Sequence, residues 1–186
     1  MDGKLVVLAL SLPILFVLHN LEEVIVFEHF MRTNRAKLTQ RLPGFIARRI
    51  LAMGSASTAG FGLAITILTV VFVVVSYGAV WLNSHVMWLI WLSGALVFAV
   101  QLAVHVISAI VWRGYAFGTV TSVIFLPILA WMAENLLSSM AFSWQEIVTA
   151  FLIVYAAGYV GGVLFLHGWL IPAFDRRFGQ HEPAVP

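Results

Sequence analysis

The chain has 186 residues, of which 62% are hydrophobic and 10% are charged, and its formal net charge is +2. A typical soluble domain carries roughly 25% charged residues, so this composition excludes an ordinary soluble enzyme and favours a single transmembrane domain over residues 1–186. Cysteine is absent, which excludes disulfides, iron–sulfur clusters and thiol catalysis. A P-loop, a dinucleotide fingerprint and a GxSxG motif are also absent, and we expect no nucleic-acid partner.

Five apolar segments are each long enough to cross a hydrocarbon core of about 30 Å. They lie at residues 5–27, 50–77, 86–112, 119–137 and 147–171. The sequence therefore predicts an all-α, polytopic transmembrane helical bundle of about five spans. The run Gly158-x-x-x-Gly162 in the fifth span predicts close helix packing, which one bundle or a homodimer would satisfy.

The basic residues indicate how these spans are oriented. With five spans, nine of the ten lysine and arginine residues fall on one side, and only Lys4 falls on the other. The positive-inside rule makes that side cytoplasmic, so we expect the N-terminus outside and the C-terminus in the cytoplasm. An even number of spans would place Arg176 and Arg177 outside. The segment 31–49 is then a cytoplasmic basic loop, interrupted by Pro43-Gly44. We expect the protein to lie in the cytoplasmic (inner) membrane, in contact with lipids.

The first span contains ionisable residues that a bilayer penalises by at least about 2.5–3.5 kcal/mol each. They occur in the run His19-Asn20-Leu21-Glu22-Glu23. At 100° per residue, His19, Glu22 and Glu23 lie within one sector of about 100° on the helix. Two carboxylates this close cannot both stay charged in a low dielectric without a cation or protons between them. This cluster is therefore the main functional candidate.

Other spans provide further polar residues at a comparable depth in the cytoplasmic half. We predict metal ligands and, on neighbouring positions, residues that orient them. The predicted ligands are His19, Glu22, Glu23, His105 and His167, with Glu22 and Glu23 also catalytic, and the predicted orienting residues are Gln101 and Asn20. A packed His105 bonded to a carbonyl and a hydrated His167 remain alternatives. Glu134 and Asn135 lie about 22 Å past Thr119 along the fourth span and are predicted to lie outside the site.

Three motifs together resemble a family of small bacterial membrane proteins named for an HxxEE signature. Besides His19-x-x-Glu22-Glu23, these are Gln101-x-x-x-His105 and a run like RxYxPGxxT, which reads RGYAFGTVT at residues 113–121. Phe117 stands where that run has proline, and Gln101 stands where the family more often has asparagine. The family has no established activity, so the resemblance supports the topology and the site and implies no reaction.

Three functions fit these residues. The first is a membrane-embedded metalloenzyme in which Zn²⁺, Fe²⁺ or Mn²⁺, alone or as a pair, activates water or dioxygen on a lipid-like substrate. The second is a proton-coupled carrier, because buried acids and histidines also form proton relays. The third is a non-catalytic accessory subunit whose cluster binds a partner helix.

Overall fold

The computed structural model describes residues 3–41, 44 and 58–178, and within these ranges it contains helices and no strand. The elements are α1 Gly3–Arg41, α2 Thr58–Leu82, α3 His85–Trp112, α4 Thr119–Ser139, α5 Trp144–Gly158, a π-helix Tyr159–Leu170 and α6 Ile171–Phe178. Five stretches of the described chain are long and apolar enough to cross a membrane: Gly3–Phe27, Ala59–Leu82, His85–Trp112, Thr119–Ser139 and Trp144–Arg177. This confirms the predicted all-helical architecture with five apolar helices.

Helix α1 extends well beyond its apolar segment. It continues without interruption to Arg41, so residues 31–41 of the segment predicted as a basic loop are helical. The physical reason is that no glycine or proline occurs between Met31 and Arg41, and most of these residues are good helix formers. The remainder of the predicted loop, apart from Gly44, and residues 50–57 of the predicted second span lie outside the described residues.

The core lies between the facing surfaces of α1, α2, α3 and α4. The ring of Phe16 stacks on Phe72 with centroids 4.5 Å apart and meets the edge of Phe98 at 5.4 Å. Helix α5 packs along α3, whereas the π-helix and α6 pack against α2. Many exposed side chains on the outside of the bundle are large and apolar, including Val74 and Ile110, whereas soluble monomers rarely expose large contiguous apolar patches.

A buried tryptophan connects three of these helices. Pro13 has no N–H and leaves the Ala9 carbonyl, four residues earlier, without its usual helical donor. The indole nitrogen of Trp91 donates to this carbonyl over 3.4 Å and to the Ser76 hydroxyl over 3.2 Å. Trp91 is fully buried, so α1, α2 and α3 are held together where α1 has lost a backbone hydrogen bond.

The short connection between α3 and α4 brings the start of α4 against α1. Helix α3 ends at Arg113 in the left-handed conformation, and α4 begins after Gly118, whose φ is 73° and ψ is 0°. Gly118 has no side chain with which to cap α4. A carboxylate from α1 accepts hydrogen bonds from the first backbone N–H groups of α4 instead.

Candidate metal centre

Two helices bring three side chains of metal-ligand type together. His19 and Glu23 are four residues apart on α1, and His105 faces them from α3. The Nε2 atom of His105 lies 2.8 Å from Oε1 of Glu23, and Nε2 of His19 lies 3.6 Å from the same oxygen. One ligand atom from each of the three residues lies within 4.8 Å of the others, and all three residues are buried. The structure therefore brings together three of the five predicted ligands.

The two ring nitrogens of His19 have different surroundings. Nδ1 lies 2.8 Å from the Thr121 hydroxyl oxygen. Nε2 is buried without a hydrogen-bond partner, and His19 as a whole is 0% exposed. Its ring is enclosed by Phe98 at 5.5 Å and His105 at 5.1 Å between centroids. A buried polar atom without a partner costs about 1–3 kcal/mol, and a bound ion would remove that cost.

Glu22 faces a different neighbour from Glu23. Its Oε1 accepts hydrogen bonds from the Tyr115 hydroxyl at 2.7 Å and from the Val120 backbone N–H at 3.1 Å. Its Oε2 accepts from the backbone N–H and the hydroxyl of Thr121, at 2.8 and 2.6 Å. Glu22 thus caps the N-terminus of α4 from another helix, and it is not part of the three-residue group.

Tyr115, the hydroxyl donor to Glu22, belongs to the connection between α3 and α4. Partial burial and the hydrogen bond to the Glu22 carboxylate raise the pKa of the Tyr115 hydroxyl above its ordinary value of 10.0. At neutral pH the hydroxyl therefore keeps its proton and remains a donor.

Gly118 lies against both histidine rings. A Cβ at this position would lie 3.0 Å from Cε1 of His19 and 3.1 and 3.2 Å from Nδ1 and Cγ of His105. Its positive φ of 73° is also a conformation that other residues rarely adopt. The backbone can approach the two imidazoles this closely only because the residue is glycine.

The two predicted orienting residues, Asn20 and Gln101, lie outside this group. Asn20 is buried and donates to the Phe16 carbonyl one turn earlier on its own helix. Gln101 is half-buried, one turn before His105 on α3. His167 lies on the π-helix, but its side chain is outside the described part of the structure. Glu134 is exposed near the far end of α4.

Three residues that were not predicted from the sequence, Tyr115, Gly118 and Thr121, contact the cluster or Glu22. The signal that marked them was the run at residues 113–121, which holds all three at matching positions of the RxYxPGxxT-like motif. Spacing alone could not reveal their roles, because each role depends on the packing of α4 against α1.

The fold and the site together define a class: a helical protein with five described helices apolar enough to cross a membrane and a buried His/Glu/His group able to hold a metal. The chain belongs to the HXXEE family, described as proteins of unknown function with an HXXEE motif, whose model matches residues 10–132. This confirms the resemblance drawn from the motifs. No curated protein and no solved structure matches the chain.

Proposed function

We propose that this chain is an integral membrane protein in which His19, Glu23 and His105 bind one divalent metal ion. The observation that carries the proposal is the Nε2 atom of His19, which is buried without a hydrogen-bond partner next to two other potential ligands. A metal would remove the cost of that unpaired nitrogen and would neutralise the Glu23 carboxylate.

The spacing of the three residues supports a mononuclear site. Ligand atoms on a tetrahedral metal with bonds of about 2.1 Å lie about 3.4 Å apart. The separation of 3.6 Å from Nε2 of His19 to Oε1 of Glu23 is close to that value. The 2.8 Å contact from Nε2 of His105 to the same oxygen is a hydrogen-bond distance, and it would lengthen by about 0.6 Å if both atoms bound one ion. Both oxygens of Glu22 already accept hydrogen bonds at the start of α4, which favours one ion over a pair.

The ligand set supports a catalytic rather than a structural role. Two histidines and one carboxylate leave a coordination position open, as in catalytic zinc sites and non-haem iron sites. A bound ion of this kind would supply Lewis acidity for water or dioxygen chemistry. Imidazole and carboxylate suit Zn²⁺, Fe²⁺ and Mn²⁺ alike, so the ligands alone leave the metal open.

The surroundings of the cluster support a lipid-like substrate and an orientation in which the cluster lies near the cytoplasmic side. The cluster lies near one end of the bundle, close to the connection that carries Arg113, with Arg176 and Arg177 at the end of the last apolar stretch. By the positive-inside rule that end faces the cytoplasm, and the N-terminus lies outside. A substrate that reaches a site among apolar helices of the inner membrane would itself be largely apolar.

The core gives less support to a proton-coupled carrier. Along α1 and α3, toward the other end of the bundle, the buried residues next to the cluster are mainly apolar, among them Leu12, Phe16, Leu92 and Phe98. A carrier needs polar groups through the whole thickness of the bundle. The described residues instead concentrate the ionisable groups of the core at one level.

Metal titration of the purified protein tests the proposal. The protein is extracted in mild detergent, stripped with a chelator and titrated separately with Zn²⁺, Fe²⁺ and Mn²⁺. We expect one ion per chain, and a loss of affinity of at least about 100-fold in Glu23→Gln and in His105→Ala, since even residues that only orient a ligand contribute 10–100-fold.

His85→Ala is the matched control, because this exposed histidine pairs with Glu146 on another helix, apart from the cluster. It should bind metal as the wild type does. The proposal fails if the wild-type protein binds no metal stoichiometrically, or if His105→Ala and His85→Ala bind it equally well.

A further inference from the structure

We infer that Glu22 and Thr121 set the tautomer of His19, and that this leaves Nε2 of His19 free as a ligand. Glu22 is then a positioning residue that acts through Thr121, although it lies next to a ligand in the sequence. The effect on metal binding rests on the proposed metal site, whereas the tautomer itself can be measured without any metal.

The Thr121 hydroxyl lies between a carboxylate and an imidazole. Its oxygen is 2.6 Å from Oε2 of Glu22 and 2.8 Å from Nδ1 of His19. Threonine has one hydroxyl proton, and an ionised carboxylate can only accept hydrogen bonds. That proton therefore points to Glu22, and the Thr121 oxygen accepts a hydrogen bond from Nδ1–H of His19.

The start of α4 keeps Glu22 in the carboxylate form. Two of its four hydrogen bonds come from the backbone N–H groups of Val120 and Thr121, which can donate but cannot accept. A helix N-terminus also favours a negative charge. With the Tyr115 hydroxyl and the Thr121 hydroxyl added, each oxygen of Glu22 accepts two hydrogen bonds, and a proton on either oxygen would displace a donor.

The proton on Nδ1 determines the state of Nε2, on the opposite side of the His19 ring. A neutral imidazole carries one N–H, so a proton on Nδ1 leaves a lone pair on Nε2. Nε2 is the buried atom without a hydrogen-bond partner, on the side of Glu23. Histidine ligands commonly donate the N–H of their second ring nitrogen to a carboxylate, which fixes the tautomer and the ring orientation. Here a threonine hydroxyl lies between the histidine and the carboxylate.

The tautomer of His19 can be read by ¹⁵N NMR of the metal-free protein, with the His19 signals assigned from a His19→Gln variant. We expect the wild type to carry its proton on Nδ1. In Thr121→Val the acceptor is lost, and we expect the proton to move to Nε2, where it can bond to Glu23. Thr121→Ser is the matched control, because it retains the hydroxyl and should retain the wild-type tautomer.

Metal affinity provides the second measurement. We expect Thr121→Val to lower the affinity for Zn²⁺ by about 10–100-fold and Thr121→Ser to leave it within a few-fold of the wild type. A wild-type His19 with its proton on Nε2 would overturn the inference, as would a Thr121→Val variant with unchanged tautomer and affinity. If Thr121→Val does not fold, the tautomer of the wild type and of Thr121→Ser decides the matter.

The two proposals can fail separately. A wild-type protein that binds no metal but carries its His19 proton on Nδ1 would contradict the proposed function and uphold the tautomer. A protein that binds one metal through His19, Glu23 and His105, but whose metal-free form carries the His19 proton on Nε2, would uphold the proposed function and contradict the tautomer.

Discussion

Replacing Gly118 by alanine would test the close approach of the backbone to the two histidines. The left-handed conformation of this residue penalises a Cβ by about 1–2 kcal/mol. The new atom would also lie 3.0 Å from the His19 ring and 3.1 Å from the His105 ring, several tenths of an ångström closer than ordinary contact. Overpacking of this kind costs about 1–3 kcal/mol, so we expect the free energy of unfolding to fall by about 2–5 kcal/mol in total.

The same substitution should weaken metal binding, because the two rings have little room to move. Phe98 contacts the His19 ring and Phe117 contacts the His105 ring. A displacement of a few tenths of an ångström disturbs ligand geometry, and we expect about a 10-fold loss of affinity for Zn²⁺. Thermal unfolding in detergent and metal titration measure the two effects.

Gly114→Ala is the matched control for this prediction. Gly114 lies in the same connection, and a Cβ there would have no neighbour within 4 Å. It should keep the stability and metal affinity of the wild type. If Gly118→Ala behaved like Gly114→Ala in both assays, glycine would not be required at position 118 for the close approach to the two rings.

Two further predictions concern the fold. Trp91→Phe removes the donor to the Ala9 carbonyl and the Ser76 hydroxyl, and it should lower the free energy of unfolding by about 2–4 kcal/mol. Thermal unfolding measures this loss, and Trp144→Phe is the control because Trp144 is exposed. Ser143→Ala removes the capping box at the start of α5 and should cost about 1 kcal/mol; hydrogen exchange should quicken in the first turn of α5, and an unchanged rate there would contradict the capping role.

The sequence predicted the presence of the five apolar helices better than the residues at which the helices end. Uninterrupted apolar runs determine where a helix can cross a bilayer, so the five apolar helices were predictable. The hydropathy of residues 31–41 says nothing of whether they are helical, because a charged segment can be a loop or a helix continuing into water. Helix formers without a glycine or proline continued α1 to Arg41.

In the site, the sequence by itself determined which residues share a face. Helical geometry places His19 and Glu23 one turn apart whatever surrounds them, and from that spacing both were predicted to be metal ligands. The involvement of His105 was a prediction from depth, and the contact of 2.8 Å with Glu23 depends on how α3 packs against α1.

Only the tertiary structure distinguished Glu22 from Glu23. Adjacent residues on a helix point about 100° apart, so Glu23 faces α3 and Glu22 faces the start of α4. There it meets backbone N–H groups and Thr121, which are 98 and 99 residues away in the chain. The chemistry of a carboxylate is set by the donors around it, and local sequence cannot specify donors that arrive from another helix.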